Sequence, residues 1–344
     1  MRKQLTADNL YKNRIMIEFI NGEVQMRRII LILGSIIALF LILIGIYQFF
    51  VVGGKIIKVD ASPEDGFNYE YYAYIPYGVG KADIKYILVE PNNGGRVSDN
   101  HQDHVKDVLR LVKHGICNRL ARSLKTVLLV PVFDRPESNW QMYTHSLDRD
   151  TLMNKEGDLA RIDLQLMGMI NHLRYKLSED NVFVREKVLM NGFSASGSFV
   201  NRFTALHPQV VQATAAGGIN CMPILPTEQW ASMDLIYPIG ISDISEIADI
   251  EFNINDYKAV PQFIYMGSED ENDTLPYDDA FGEKERQLIL DLLGSDMKER
   301  WEKSEDIYKQ LDISAEMVMY DGVGHMTNDE IIDDIIRFFQ KNMK

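Results

Sequence analysis

Val188-Leu189-Met190-Asn191-Gly192-Phe193-Ser194-Ala195-Ser196-Gly197 runs from an apolar, strand-like segment into a cluster of small residues, and 199–207 beyond it reads as a helix. A strand that turns sharply into a helix holds the residue at the turn in a strained conformation and lifts its side chain above the sheet edge. Such a turn needs small neighbours two positions either side of the serine. Gly192 meets the first requirement and Ser196 stands where a glycine is usual. With Ser196 or Ser198 at the turn the flanking residues become progressively bulkier, so Ser194 is the expected nucleophile.

A nucleophilic serine needs a base, and an acid to orient it. In proteins built on this turn the acid and then the histidine follow the serine along the chain. Two histidines do so. His207 ends the helix that the turn begins and points away, whereas His325 sits in a glycine-loosened loop between the strand-like 316–320 and the amphipathic 328–341. His325 is the expected base. The apolar strand 260–266 runs into the acidic loop Gly267-Ser268-Glu269-Asp270-Glu271-Asn272-Asp273, and Asp270 has the shortest path back to the sheet edge, with Asp273 as the alternative. The oxyanion of a tetrahedral intermediate needs two N–H donors. Ala195, directly after the nucleophile, is expected to supply one. The other is expected from Asn93, with Asn92 and Gly94 as alternatives, in the loop that follows strand 85–90.

These four ordered features, Glu90-Pro91-Asn92-Asn93, Gly192 to Gly197, Gly267 with Asp270, and Gly324-His325, make 67–344 resemble the α/β-hydrolase superfamily, in its esterase and polyester-depolymerase-like branch. The resemblance implies an α/β fold with a mostly parallel sheet flanked by helices. It also implies a serine hydrolase, a carboxylesterase in first place, acting on a small-molecule or polymeric ester through an acyl-enzyme. A peptidase or amidase of the same fold, or a non-catalytic binding module at the cell surface, are the alternatives, because this fold carries all of them.

The patterning agrees with such a sheet. Strands are expected at 68–76, 85–90, 126–133, 187–192, 212–218, 260–266 and 316–320, and helices at 101–123, 158–177, 199–207 and 328–341. Two segments interrupt the alternation. The loop 133–150 carries Trp140 and Tyr143, and the insertion 221–257 carries Trp230 and Tyr237. These four aromatics are the candidate substrate contacts, and 221–257 is the candidate cap over the site. His101 and His104 flank Asp103, but the polar start of an amphipathic helix accounts for them without a metal.

At the start of the chain, 29–52 is an apolar run without a charge, long enough to cross a bilayer as a helix. Residues 1–28 hold six basic and three acidic side chains, so the positive-inside rule puts them in the cytoplasm and the catalytic domain outside. The expected organisation is a cytoplasmic segment 1–28, a transmembrane signal anchor 29–52, a linker 53–66 and the hydrolase domain 67–344. The chain carries a net charge of −14, which leaves −17 beyond residue 28 and argues against nucleic-acid partners. Cys117 and Cys221 read as two free thiols rather than a disulfide. No phosphate loop, dinucleotide fingerprint or metal cluster stands out, so no cofactor is expected.

Overall fold

The computed structural model describes residues 2–47, 52–79, 85–93, 95–220 and 222–343. Two units can be separated, Met1–Gly53 and Gly54–Lys344. In the first, the helix α1 (Arg2–Ile46) contains the 22-residue apolar stretch Gln25–Ile46. At 1.5 Å per residue this stretch is about 33 Å long, enough for the ~30 Å hydrocarbon core of a bilayer. Its large apolar side chains, Leu31 and Phe40 among them, are exposed. Residues 48–51 of the expected span lie outside the described residues.

In the second unit the apolar runs pair into one eight-stranded sheet. Its strands are β1 (Gly54–Val59), β2 (Tyr71–Pro76), β3 (Ile87–Val89), β4 (Val127–Pro131), β5 (Val188–Phe193), β6 (Val211–Gly217), β9 (Gln262–Gly267) and β10 (Ala315–Tyr320), in the order β1-β2-β4-β3-β5-β6-β9-β10. The short β7 (Gln229–Trp230) and β8 (Met233–Asp234) form a separate ribbon. The β1–β2 and β2–β4 pairs are antiparallel, and every pair from β4 to β10 is parallel. Parallel strands joined by helical crossovers are covered on both faces, which is why β4 and β9 are buried at every position and read as unbroken apolar runs.

The helices of this unit are α2 (His101–His114), α3 (Ile116–Leu124), α4 (Arg149–Met153), α5 (Ile162–Glu179), α6 (Ala195–Leu206), α7 (Ile244–Ala248), α8 (Ile254–Lys258), α9 (Glu283–Leu292), α10 (Met297–Gln310) and α11 (Asp329–Asn342). Asn100 and Asn328 start α2 and α11 by accepting the otherwise orphaned amides of Gln102 and Ile331. The single helix expected over 101–123 is two, because Gly115 leaves helical geometry at ψ 168.

Residues 53–66 depart from the linker expectation. Gly54–Val59 is the edge strand β1, in register with β2 from Gly54↔Pro76 to Val59↔Tyr71. Its charged Lys55 and Lys58 hid the strand, since an edge strand with one wet face needs little apolar sequence. The insertion 221–257, the expected cap, contributes described residues to the hydrophobic core. Leu235, Tyr237, Ile244 and Ile247 are buried. Arg149 grips the segment through the Tyr237 carbonyl at 2.9 Å and Asp243 at 2.6 Å. Cys117 is a buried free thiol whose pKa burial raises, and Cys221 lies outside the described residues.

Candidate active site

Ser194 stands between β5 and α6 with φ 61 and ψ −125, a backbone conformation that costs a non-glycine residue on the order of 1–2 kcal/mol. Close packing maintains it. A Cβ on Gly192 would lie 2.2 Å from the Ser196 carbonyl oxygen, and one on Gly197 would lie 2.5 Å from that of Gly217. The Ser194 amide donates to Gly217 of β6 at 2.8 Å, tying the turn to the neighbouring strand. Ser196 fits where glycine is usual because its hydroxyl folds back, accepting from the Phe193 amide at 3.0 Å and donating to the Phe193 carbonyl at 2.9 Å. That hydroxyl is occupied, which separates it from Ser194.

His325 and Asp270 meet beside this turn. His325 Nδ1 lies 2.9 Å and 3.1 Å from the two Asp270 carboxylate oxygens. The Asp270 carboxylate also accepts the Asn272 amide at 2.9 Å. With Nδ1 donating to the carboxylate, Nε2 is the unprotonated nitrogen, the tautomer a general base requires. Nε2 accepts from the Asn272 side-chain amide at 3.3 Å, and among the described residues no hydrogen bond joins it to Ser194. The imidazole rests against Phe193 with ring centroids 4.6 Å apart. Asp273, the alternative acid, is engaged elsewhere, 2.7 Å from Arg300, which is fully buried. His207, as expected, faces away, with Nε2 2.9 Å from Asp163.

Ser194 and His325 share a cavity of about 310 Å³. Ala195, Asn93 and Gly95 lie in its wall. As the first residue of α6, Ala195 has an N–H without an intrahelical partner. The Asn93 side-chain amide donates to the Phe193 carbonyl at 2.8 Å, so it braces the turn from below. Gly94 lies outside the described residues. Of the four aromatics expected to contact substrate, Tyr143 lines the cavity and Trp140, Trp230 and Tyr237 do not. Trp140 is exposed, and Tyr237 is buried with its hydroxyl donating to the Leu147 carbonyl. The cavity is walled instead by Ser146 of the 133–150 loop and by Thr274, Ala280 and Phe281 from beyond β9; no described residue of 222–257 lines it. Ser198 and Arg202 were missed in the sequence, although their i+4 and i+8 spacing from Ser194 on a helix was a usable signal.

Two ionisable groups of the same unit are buried with shifted titration. His145, held near the Phe133 carbonyl at 3.0 Å and pushed down to about 3 by burial, is neutral. Glu90, at the end of β3, accepts from the Asn191 side chain, and burial pushes its carboxyl from 4.5 up to about 8. The folded protein therefore keeps Glu90 protonated over a range in which the unfolded chain ionises it, so stability falls as pH rises from about 4.5 to about 8. The slope is on the order of 1 kcal/mol per pH unit. Glu90→Gln removes this ionisation. Its melting temperature relative to wild type is expected to rise steadily between pH 5 and pH 8, and a difference independent of pH would show that Glu90 does not titrate there.

No protein-family model matches the sequence, and no curated protein matches it. Solved structures do. Poly(aspartic acid) hydrolase-1 from Sphingomonas sp. KT-1 superposes with a TM-score of 0.54 at 15% identity, over 85% of this chain and 99% of that one. LpqC, a poly(3-hydroxybutyrate) depolymerase from Bordetella parapertussis, gives 0.52 at 16% identity, over 84% and 91%. The chain has the α/β-hydrolase fold. Strand β5, which ends at the Ser194 turn, is a central parallel strand with β3, β4, β6 and β9 around it. The Asp270 and His325 loops follow the later parallel strands β9 and β10.

Proposed function

We propose that the chain is a membrane-anchored serine hydrolase that cleaves carboxylic esters through an acyl-enzyme. The observation that carries this reading is a serine at φ 61 sharing one cavity with a histidine whose Nδ1 is held by a buried carboxylate. Strain, an available base and an oriented tautomer are together the equipment of nucleophilic catalysis, and a simple structural turn needs none of them.

In this mechanism the His325 imidazole swings from Asn272 to Ser194 and takes the hydroxyl proton as Ser194 Oγ attacks the ester carbonyl. Asp270 holds the imidazolium that forms. The N–H of Ala195 and the main-chain N–H at Asn93 stabilise the tetrahedral oxyanion. His325 then gives its proton to the departing alkoxide, and water, activated by the same imidazole, releases the acid. The name of one structural neighbour, a poly(3-hydroxybutyrate) depolymerase, suits a polymeric ester. The helix Gln25–Ile46 supplies the anchor, with the basic 1–28 segment in the cytoplasm and the catalytic unit outside.

A fluorophosphonate probe on the detergent-purified full chain tests the proposal. Wild type is expected to be labelled and Ser194→Ala not. Absence of labelling in the folded wild type, or equal labelling of the variant, would overturn it.

A further inference from the structure

Three arginines of the second unit are buried: Arg135, Arg202 and Arg300. Arg135 lies 2.5 Å from Asp279 and Arg300 lies 2.7 Å from Asp273, so both have a carboxylate in contact. Arg202 has none within ion-pair distance among the described residues. Its Nη1 donates to the Ser146 carbonyl at 2.9 Å and lies 3.3 Å from the Ser146 hydroxyl, and Nε and Nη2 bond no described protein group. Asp148 acts on it only at longer range, and burial pushes that carboxyl up to about 7, which weakens it as a counter-charge near neutrality. Leaving a cation buried without an anion is costly. A purely structural link to Ser146 would be made as well by a neutral side chain.

Arg202 also faces the cavity that holds Ser194 and His325. In a chain of net charge −14, no aspartate or glutamate stands among the described residues lining it. Ser194, Ser198 and Arg202 follow one another at i, i+4 and i+8, along one face of α6. Ser198 and Arg202 both line the cavity, one helical turn apart. The cavity thus holds the Ser194 and Ser198 hydroxyls and a guanidinium that has Ser146 and the Phe281 ring, 5.9 Å away, as partners but no carboxylate within ion-pair distance among the described residues.

We propose that Arg202 binds a carboxylate on the acyl part of the substrate, so that the preferred substrates are half-esters of short dicarboxylic acids or the anionic ends of polymers made of them. This rests on the hydrolase reading. The carboxylate takes the place of the missing ion partner, accepting from Nε and Nη2, with Ser198 beside it. It thereby sets the ester carbonyl at Ser194 by a second point of attachment. Arg202 is a specificity-determining residue in this scheme and takes no part in proton transfer.

The test compares kcat/KM of the detergent-purified full chain for monoethyl succinate, glutarate and adipate with that for ethyl esters of monocarboxylic acids of the same length. The quantity read is the ratio of half-ester to neutral ester, which cancels any loss of folded protein in a variant. Wild type is expected to favour at least one half-ester by about tenfold or more; Arg202→Gln is expected to bring that ratio to one or below, and Arg202→Lys to an intermediate value. Neutral esters cleaved as well as half-esters by wild type, or a ratio unchanged in Arg202→Gln, would overturn the inference and leave the hydrolase reading standing. If wild type cleaves no ester at all, the hydrolase reading falls, and the thermal shift given by free adipate decides the site alone. A shift lost in Arg202→Gln supports carboxylate binding, and no shift in wild type overturns it.

Discussion

Ser194→Ala is expected to lower kcat for p-nitrophenyl ester hydrolysis by about 10⁴-fold or more, the loss that follows when a nucleophile acting as one unit with its base is removed. What survives comes from the oxyanion donors and binding alone. The substitution should leave the fold intact. Alanine meets the same backbone strain at φ 61, the Ser194 main-chain bond to Gly217 remains, and the side chain deleted is small. The melting temperature is therefore expected within a few degrees of wild type. Steady-state kinetics and a thermal melt on the same preparation check both halves. A variant that keeps kcat within tenfold would move the nucleophile away from this turn. Ser196 is a poor substitute in any case, since its hydroxyl is bound to both backbone groups of Phe193.

Asp270→Asn and Asp273→Asn are expected to fail in different ways. In the proposed mechanism the Asp270 carboxylate orients the His325 ring and stabilises the imidazolium, so the amide should lower kcat by about 10⁴-fold through the wrong tautomer. Little melting temperature should be lost. Asp273 has the opposite balance. Its partner Arg300 is fully buried, and replacing the carboxylate leaves an uncompensated cation, which costs about 3–5 kcal/mol. For a domain of this size that is a fall on the order of 10 °C, with a far smaller change in kcat per folded molecule. Loss of kcat in Asp273→Asn alongside an active Asp270→Asn would reverse the assignment of the acid.

The two carboxylates show where sequence reading reaches its end. Both follow the same strand and both are in reach of the sheet edge. Arg300, on α10, separates them by occupying one, and that helix belongs to no local motif around the acidic loop. Arg202 was similarly visible as a position on the helix after the serine, but not as a buried cation without a partner. That property depends on Ser146 and Phe281, from distant segments, and on the lack of a carboxylate within ion-pair distance among the described residues.

Strands such as β4 and β9 were readable because they are buried at every position. The turn at Ser194 was readable because strain requires small residues within a few positions of it. The order of the Ser194, Asp270 and His325 segments was readable because each follows a strand. Edge strand β1 was not, since pairing with β2 rather than its own composition makes it a strand. The placement of 221–257 was not, since its aromatics satisfy a lid and a packed insertion equally well until Tyr237 is seen bonded to Leu147. Local sequence carried the strained turn and the order of the loops that meet beside it. The cavity around them was decided by long-range packing, because each wall residue earns its place from partners that no window of neighbouring residues contains.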